Sequence, residues 1–273
     1  MTNRPNSMRH LDDAIRRVCG GSPDEYVRTR TLMANAIVAQ MLPNGVVKGG
    51  SAIKMRLGNA ETRFTTDLDT ATASDPASYA EGLSAALAEG WEGFTGRVVP
   101  RESAHPKDVP PEYVMSPFDV KLSYNGKPWC TVPLEVGHNE IGDADEADWV
   151  RLTDIERIFE QIGFPALREV PLMPLPYQVA QKLHALTDER DRLRDLIDLQ
   201  LIIANAELDL PATRIICERL FAYRKRQDWP PIVEKRPGWD ELYAEQSKGL
   251  SVKNGIDSAA KWANNLIAAI ANS

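Results

Sequence analysis

Asp67 and Asp69 are the residues in this chain best suited to do chemistry. Two residues apart along a strand, their side chains project to the same face. Two carboxylates held that close repel each other unless a cation lies between them. Hard oxygen ligands of this kind suit Mg2+, which takes one or two carboxylates and completes its shell with phosphate and water. Upstream lies Gly49-Gly50-Ser51. Its glycines let the backbone approach a ligand closely, and N–H groups at a helix start attract phosphate. Arg63, Thr65 and Thr66 lead into the aspartates.

A second charged set is Lys182, Asp195 and Asp198, with Arg192 and Arg194 nearby. The apolar pattern of Leu183, Leu186, Leu193, Leu196, Ile197, Leu199 and Leu201 predicts one long helix over about 176–205. On such a helix Asp195 and Asp198 share a face, and Lys182 lies about three and a half turns earlier. Taken alone, the pattern equally describes a solvated amphipathic helix laced with ion pairs.

The elements that must position these residues follow from the rest of the pattern. Helices are expected over 8–19 and 24–41, the second opened by Ser22-Pro23-Asp24 and stopped by Pro43-Asn44-Gly45. Val46-Val47 reads as a short strand, the 50s as a short helix and 64–72 as the strand carrying the aspartates. Ser74-Asp75-Pro76 caps a helix over about 76–90, a strand follows over 91–99, and the proline-rich, charged stretch 100–112 reads as a loop. A hairpin is then clear. Residues 118–124 alternate, Asn125-Gly126 turns, and 129–136 return. Each of its strands carries a carboxylate among apolar neighbours, Asp119 and Glu135. The acidic, turn-rich stretch 137–150 marks a division between two parts, 1–150 and 151–273, the second mainly helical.

Composition narrows the function classes. The chain has 273 residues, 26% charged and 43% hydrophobic, as in ordinary globular proteins. Its net charge of −7 argues against a generally basic nucleic-acid coat, though not against a local basic patch. Such a patch is suggested over 214–236, where Arg214, Arg219, Arg224, Lys225, Arg226, Lys235 and Arg236 lie among Phe221, Tyr223 and Trp229. Cys19, Cys130 and Cys217 lack metal-ligand spacing and are expected to be reduced thiols in a cytoplasm. No apolar run reaches the roughly 20 residues of a membrane span, and the N-terminus lacks a signal-peptide core. A cytoplasmic protein without membrane contact is expected.

Gly-Gly-Ser followed by Asp-x-Asp resembles the nucleotidyltransferase superfamily that includes DNA polymerase β. Adding Lys-x-x-Ala and Arg-Asp-x-x-Asp-Leu from 182–199, the chain resembles the AbiEii/AbiGii toxin family, whose members include mycobacterial toxins that add nucleotides to the 3′ end of tRNA. The match covers 47–70 and 182–199, and more loosely the 118–136 hairpin. It implies an α/β (α+β) fold, with a mixed sheet and flanking helices carrying the metal site and a mainly helical C-terminal half completing the active-site cleft.

By that resemblance Asp67 and Asp69 hold Mg2+, and Gly49, Gly50 and Ser51 form the phosphate-binding turn. Thr65 matches the family's Ser/Thr-x-Asp element, a position of autophosphorylation or antitoxin control in relatives. Lys182 is the nucleotide-contacting lysine, and Asp195 or Asp198 the helical aspartate needed for activity. Arg63 is a further nucleotide contact, and Glu135, then Asp119, the choice for a third carboxylate. Arg219, Arg224, Lys225 and Arg226 are candidates for RNA contact. The implied activity is transfer of a nucleoside monophosphate from a nucleoside triphosphate to RNA, above all the tRNA 3′ end, under control of a cognate antitoxin. Two other readings stay open, a small-molecule nucleotidyltransferase of the aminoglycoside-modifying sort and a protein that keeps the fold but only binds a partner.

Overall fold

The computed structural model describes residues 4–58, 62–102, 114–188 and 192–273. Most of the loop expected over 100–112 therefore lies outside the described residues. The chain divides into two compact units, one of Met1–Asn59 and Phe64–Met173, the other of Ala60–Arg63 and Pro174–Ser273.

The first unit is built on a seven-stranded mixed sheet in the order β3-β4-β5-β2-β1-β7-β6. Its elements run α1 (Met8–Val18), α2 (Pro23–Ala39), β1 (Val46–Val47), α3 (Gly49–Leu57), β2 (Leu68–Thr72), α4 (Pro76–Glu89), β3 (Phe94–Pro100), β4 (Ser116–Tyr124), β5 (Lys127–His138), β6 (Asp148–Val150), α5 (Thr153–Gln161) and β7 (Val170–Leu172). Local chemistry explains most boundaries. Ser22 caps α2 by accepting from Glu25 N–H, and Asp75 caps α4 by accepting from Ala77 and Ser78. Asn125 and Gly126 both take positive φ, which lets β4 and β5 join through a tight turn.

Leu68, Val120, Leu122, Leu134 and Val136 form a buried core with α2 residues Met33 and Ile37 and aromatic residues Phe94, Tyr124, Phe159 and Phe164. Their alternation along the strands leaves the intervening residues, among them Asp119, Glu135 and Asp69, on the opposite sheet face. The strand expected over 64–72 begins only at Leu68, whose partner Leu134 opens the β2–β5 ladder. Asp67 thus stands one residue before the strand. The unit also continues beyond residue 150, because β7 adds in parallel to β1 and β6 closes antiparallel on β7.

The second unit contains α6 (Leu175–Thr187), α7 (Leu193–Asn205), α8 (Leu210–Arg224), α9 (Trp239–Gln246) and α10 (Ile256–Ala271). The stretch 176–205, expected as a single helix, does not form one. It is two helices, α6 ending at Thr187 with Asp188 in extended conformation and α7 starting at Leu193. Both are buried over most of their faces, so an apolar pattern continues across the break that separates them. A buried polar knot ties α7 to α9, where Tyr243 Oη donates to the Lys253 carbonyl at 2.8 Å and Gln200 Oε1 accepts from Lys253 N–H at 2.7 Å. Among the described residues no helix is long and apolar enough to cross a membrane.

Candidate active site

Asp69, Glu135 and the turn at the head of α3 meet on one face of the first unit's sheet, with Asp67 just ahead of β2. Asp69 on β2 is the register partner of Glu135 on β5. The two strands are parallel neighbours, so these carboxylates stand side by side, both half-buried. Asp67 precedes Asp69 by two residues and is exposed, with Thr66 Oγ1 donating to its Oδ1 at 2.9 Å. The turn at the head of α3 lies directly against them. Gly49 takes φ +63°, and a Cβ there would overlap Asp69 Oδ2. Glycine is required on both counts.

Ser51, 1% exposed, donates its hydroxyl to the carbonyl of Asp67. It fixes the backbone that presents the exposed carboxylate. Phe64 helps set the same lead-in, with the Arg28 guanidinium 5.5 Å and the Lys54 ammonium 5.1 Å from its ring centre. Thr65, half-buried, is two residues ahead of Asp67.

Asp119 shares the carboxylate face but lies one strand further out, opposite Pro133 on β5. Lys121 Nζ contacts its Oδ2 at 2.8 Å and Arg101 Nε lies 3.9 Å from its Oδ1. Position and pairing therefore separate the two hairpin carboxylates. Glu135 adjoins Asp69, whereas Asp119 is neutralised by its own neighbours.

Lys48 is a residue that motif reading passes over. It continues the β1–β2 ladder by donating its N–H to the Asp69 carbonyl at 2.8 Å. Its ammonium crosses the sheet to sit 2.6 Å from where a Cβ on Gly137 would stand. The available signal was a cation abutting a double-glycine turn.

The second unit brings Lys182, Asp195 and Asp198 together, but not as neighbours on one helix. Thirteen residues along a continuous helix would span about 20 Å. Instead Lys182 Nζ lies 2.7 Å from Asp195 Oδ1 and 2.7 Å from Asp198 Oδ2, because α6 and α7 fold back on each other. Arg63 completes the set, its Nε and Nη2 meeting Asp198 Oδ1 and Oδ2 at 2.8 and 2.9 Å. Two cations balance two anions, which is how charges survive burial.

The aspartates are unequal. Asp198 is 2% exposed and has both oxygens engaged, whereas Asp195 contacts Lys182 through Oδ1 alone among the described residues. Burial pushes the Asp198 carboxyl up, but Lys182 and Arg63 outweigh it and hold the carboxyl below the usual range. Burial likewise disfavours the Lys182 ammonium, and the two aspartates reverse that and hold its pKa above the usual lysine value.

The basic strip of 214–236 is thinner than its composition suggests. Helical spacing turns Phe221 inward, where it packs edge-on against His184 and Trp229. Arg214 pairs with Glu218 at 2.8 Å, and Lys235 with Asp240 at 2.8 Å. Arg224 donates to His184 Nδ1 at 3.3 Å. Arg219, Tyr223, Lys225 and Arg226 are exposed at the surface of the strip.

Among the described residues no group of three or more His, Cys, Asp or Glu side chains forms a metal cluster. Asp67 and Asp69 would supply donors of the kind a hard divalent ion takes. Both are oxygen donors beside a glycine turn that keeps Cβ atoms out of the space against Asp69, and Mg2+ needs no more than one or two carboxylates.

A family model described as "Nucleotidyl transferase AbiEii toxin, Type IV TA system" matches residues 30–263. Among solved structures the chain is similar to MenT4, a nucleotidyltransferase toxin from Mycobacterium tuberculosis H37Rv, with 19% identity and a TM-score of 0.54 over 95% of this chain and 98% of that one. A putative nucleotidyltransferase from H. pylori gives 15% identity and a TM-score of 0.42 over 90% and 94%. Comparison with curated proteins finds no match.

Proposed function

The chain belongs to the AbiEii family of nucleotidyltransferase toxins of type IV toxin–antitoxin systems, and we propose that it transfers a nucleoside monophosphate from a nucleoside triphosphate to RNA, with the 3′ end of tRNA as acceptor. The family implies a cognate antitoxin, and nucleotidyltransferases generally use divalent metal ions. Mg2+ is the ion proposed here. What supports the reading most is the register that sets Asp69 beside Glu135, with the Gly49 turn packed against Asp69.

Asp67 and Asp69 are the proposed metal ligands, and a divalent ion held there would neutralise the phosphates and activate the attacking hydroxyl. Ser51 holds the Asp67 backbone and so aims its carboxylate. The N–H groups of Gly49, Gly50 and Ser51 at the start of α3 are the proposed phosphate cradle. Glu135 is the proposed acceptor of the hydroxyl proton as the new bond to the α-phosphorus forms and pyrophosphate leaves. In the second unit Lys182 is proposed as the lysine that meets the nucleotide. Asp195, with an oxygen outside the ion network, is proposed as the helical aspartate on which activity depends, and Asp198 as its support. Arg219, Arg224, Lys225 and Arg226 are proposed RNA contacts.

Incubation with Mg2+, each α-labelled nucleoside triphosphate and total tRNA, beside an Asp67→Ala control, tests this. Label on tRNA with the wild type alone supports the proposal. Label on a small-molecule acceptor, or no transfer to any acceptor, refutes it.

A further inference from the structure

We propose that Lys48 is a phosphate-binding residue for the nucleoside triphosphate, and that Gly137 exists in its present form to seat the Lys48 ammonium. The inference rests on the nucleotidyl-transfer reading above and adds to it a ligand contact from a residue outside the motifs.

Lys48 stands opposite Asp69, since its N–H continues the hydrogen-bond ladder that pairs Val47 with Thr70. Its side chain leaves β1, passes over β2 and ends above β5. There its Nζ lies 2.6 Å, and its Cε 3.3 Å, from the position a Cβ on Gly137 would take. Gly137 is two residues beyond Glu135, so that Cβ position and the Glu135 side chain share a face. Glu135 and Asp69 in turn share it through their register. The ammonium therefore lies on the carboxylate face, beside the β5 residue two positions beyond Glu135.

Two further facts give the placement meaning. Lys48 is half-buried, and its ammonium enters no ion pair among the described residues. Moreover, Gly137 does not take a positive φ, so its backbone conformation is open to any residue. The atom that a Cβ at Gly137 would meet first is the Lys48 amine, the end of a flexible side chain. A compact cation on this face adds positive charge beside the proposed metal ligands. It is suitably placed for the trailing phosphates of a triphosphate whose inner phosphates lie at Asp67 and Asp69.

The geometry makes a double-mutant cycle the natural test. Lys48→Ala removes the cation. Gly137→Ala leaves Lys48 in place but puts a methyl group where the amine sits, displacing only the end of a flexible side chain. Binding of each nucleoside triphosphate with Mg2+ is measured by calorimetry on the full chain, with melting temperature as a control on folding. Each single variant is expected to weaken nucleotide binding tenfold or more at unchanged melting temperature. The double variant should bind no worse than Lys48→Ala, because without the amine the added methyl has nothing to displace. Wild-type affinity in Lys48→Ala would overturn the inference while leaving the function proposal standing. Losses that multiply in the double variant would also overturn it, since Gly137 would then act independently of Lys48. A wild-type chain that binds none of the triphosphates would overturn both readings.

Discussion

Asp69 and Glu135 are partners in the register of two parallel strands, β2 and β5, that neighbour each other at the centre of a mixed sheet. Sixty-six positions apart in sequence, they are brought to one face by a pairing that Leu68↔Leu134 and Thr70↔Val136 fix from the buried side. A slip of either strand by one residue would turn its carboxylate into the core and part the pair, so the apolar residues enforce the acidic site.

Glu135→Gln is expected to lower the transfer rate at least a hundredfold at unchanged stability, in the range seen when a positioned acid–base group is lost. Asp119→Asn is expected to stay within about tenfold of wild type, because Lys121 and Arg101 occupy that carboxylate. Single-turnover rates of the two variants side by side check the assignment. A larger effect from Asp119→Asn would reverse it.

Gly49→Ala combines a left-handed backbone with an overlap against Asp69 Oδ2. We expect about 1–3 kcal/mol of destabilisation from the backbone conformation and displaced carboxylate, together with loss of divalent-ion binding. Urea unfolding and a titration with Mn2+ as a spectroscopic probe measure the two effects separately. Retained ion binding would place the metal away from Asp69.

The buried ion network predicts an asymmetry between its aspartates. Asp198→Ala leaves Lys182 and Arg63 short of an anion and is expected to cost about 3–5 kcal/mol. Asp195→Ala removes one contact from a residue nearer the surface and is expected to cost less, while abolishing transfer. Equal destabilisation by both would show that the network does not discriminate between them.

The same network sets a pH dependence. The Asp198 carboxyl lies below its usual value of about 3.9, so its contribution is complete above about pH 3.9 and is lost as pH falls through the depressed native value. The Lys182 ammonium lies above its usual value of about 10.4, so its contribution is complete below about pH 10.4 and is lost as pH rises through the raised native value. The difference in unfolding free energy between wild type and Asp198→Asn should therefore be constant from about pH 5 to 9 and shrink at more acid pH. Denaturant titrations across that range check it, and a difference that grew on acidification would contradict the sign.

Much of the first unit was legible because its signals are local. Asn125-Gly126 between alternating strands, Asp75 before Pro76, and glycines between Val47 and Ala52 each specify their own few residues. Asp67 and Asp69 stood out for the same reason. The break between α6 and α7 was not legible, because apolar residues run on both sides of it and periodicity cannot reveal that Lys182 folds back onto Asp195. Arg63 was read as a nucleotide contact, and its bidentate hold on Asp198 depends on a pairing across 135 positions. Strand β7 was hidden by its own sequence, since Val170-Pro171-Leu172 looks like a stiff connection when the neighbour β1 is out of view. Lys48 carries no local signal, because its placement depends on Gly137 on another strand.

The most direct measurement is the mass of the tRNA 3′ terminus after reaction with Mg2+ and the four nucleoside triphosphates, with pyrophosphate counted in the same sample. The proposed chemistry predicts a 3′ end heavier by whole nucleoside monophosphate residues, one pyrophosphate released for each, and neither change with Asp69→Asn. Pyrophosphate release with an unaltered tRNA terminus, or an extended terminus with Asp69→Asn, would contradict it.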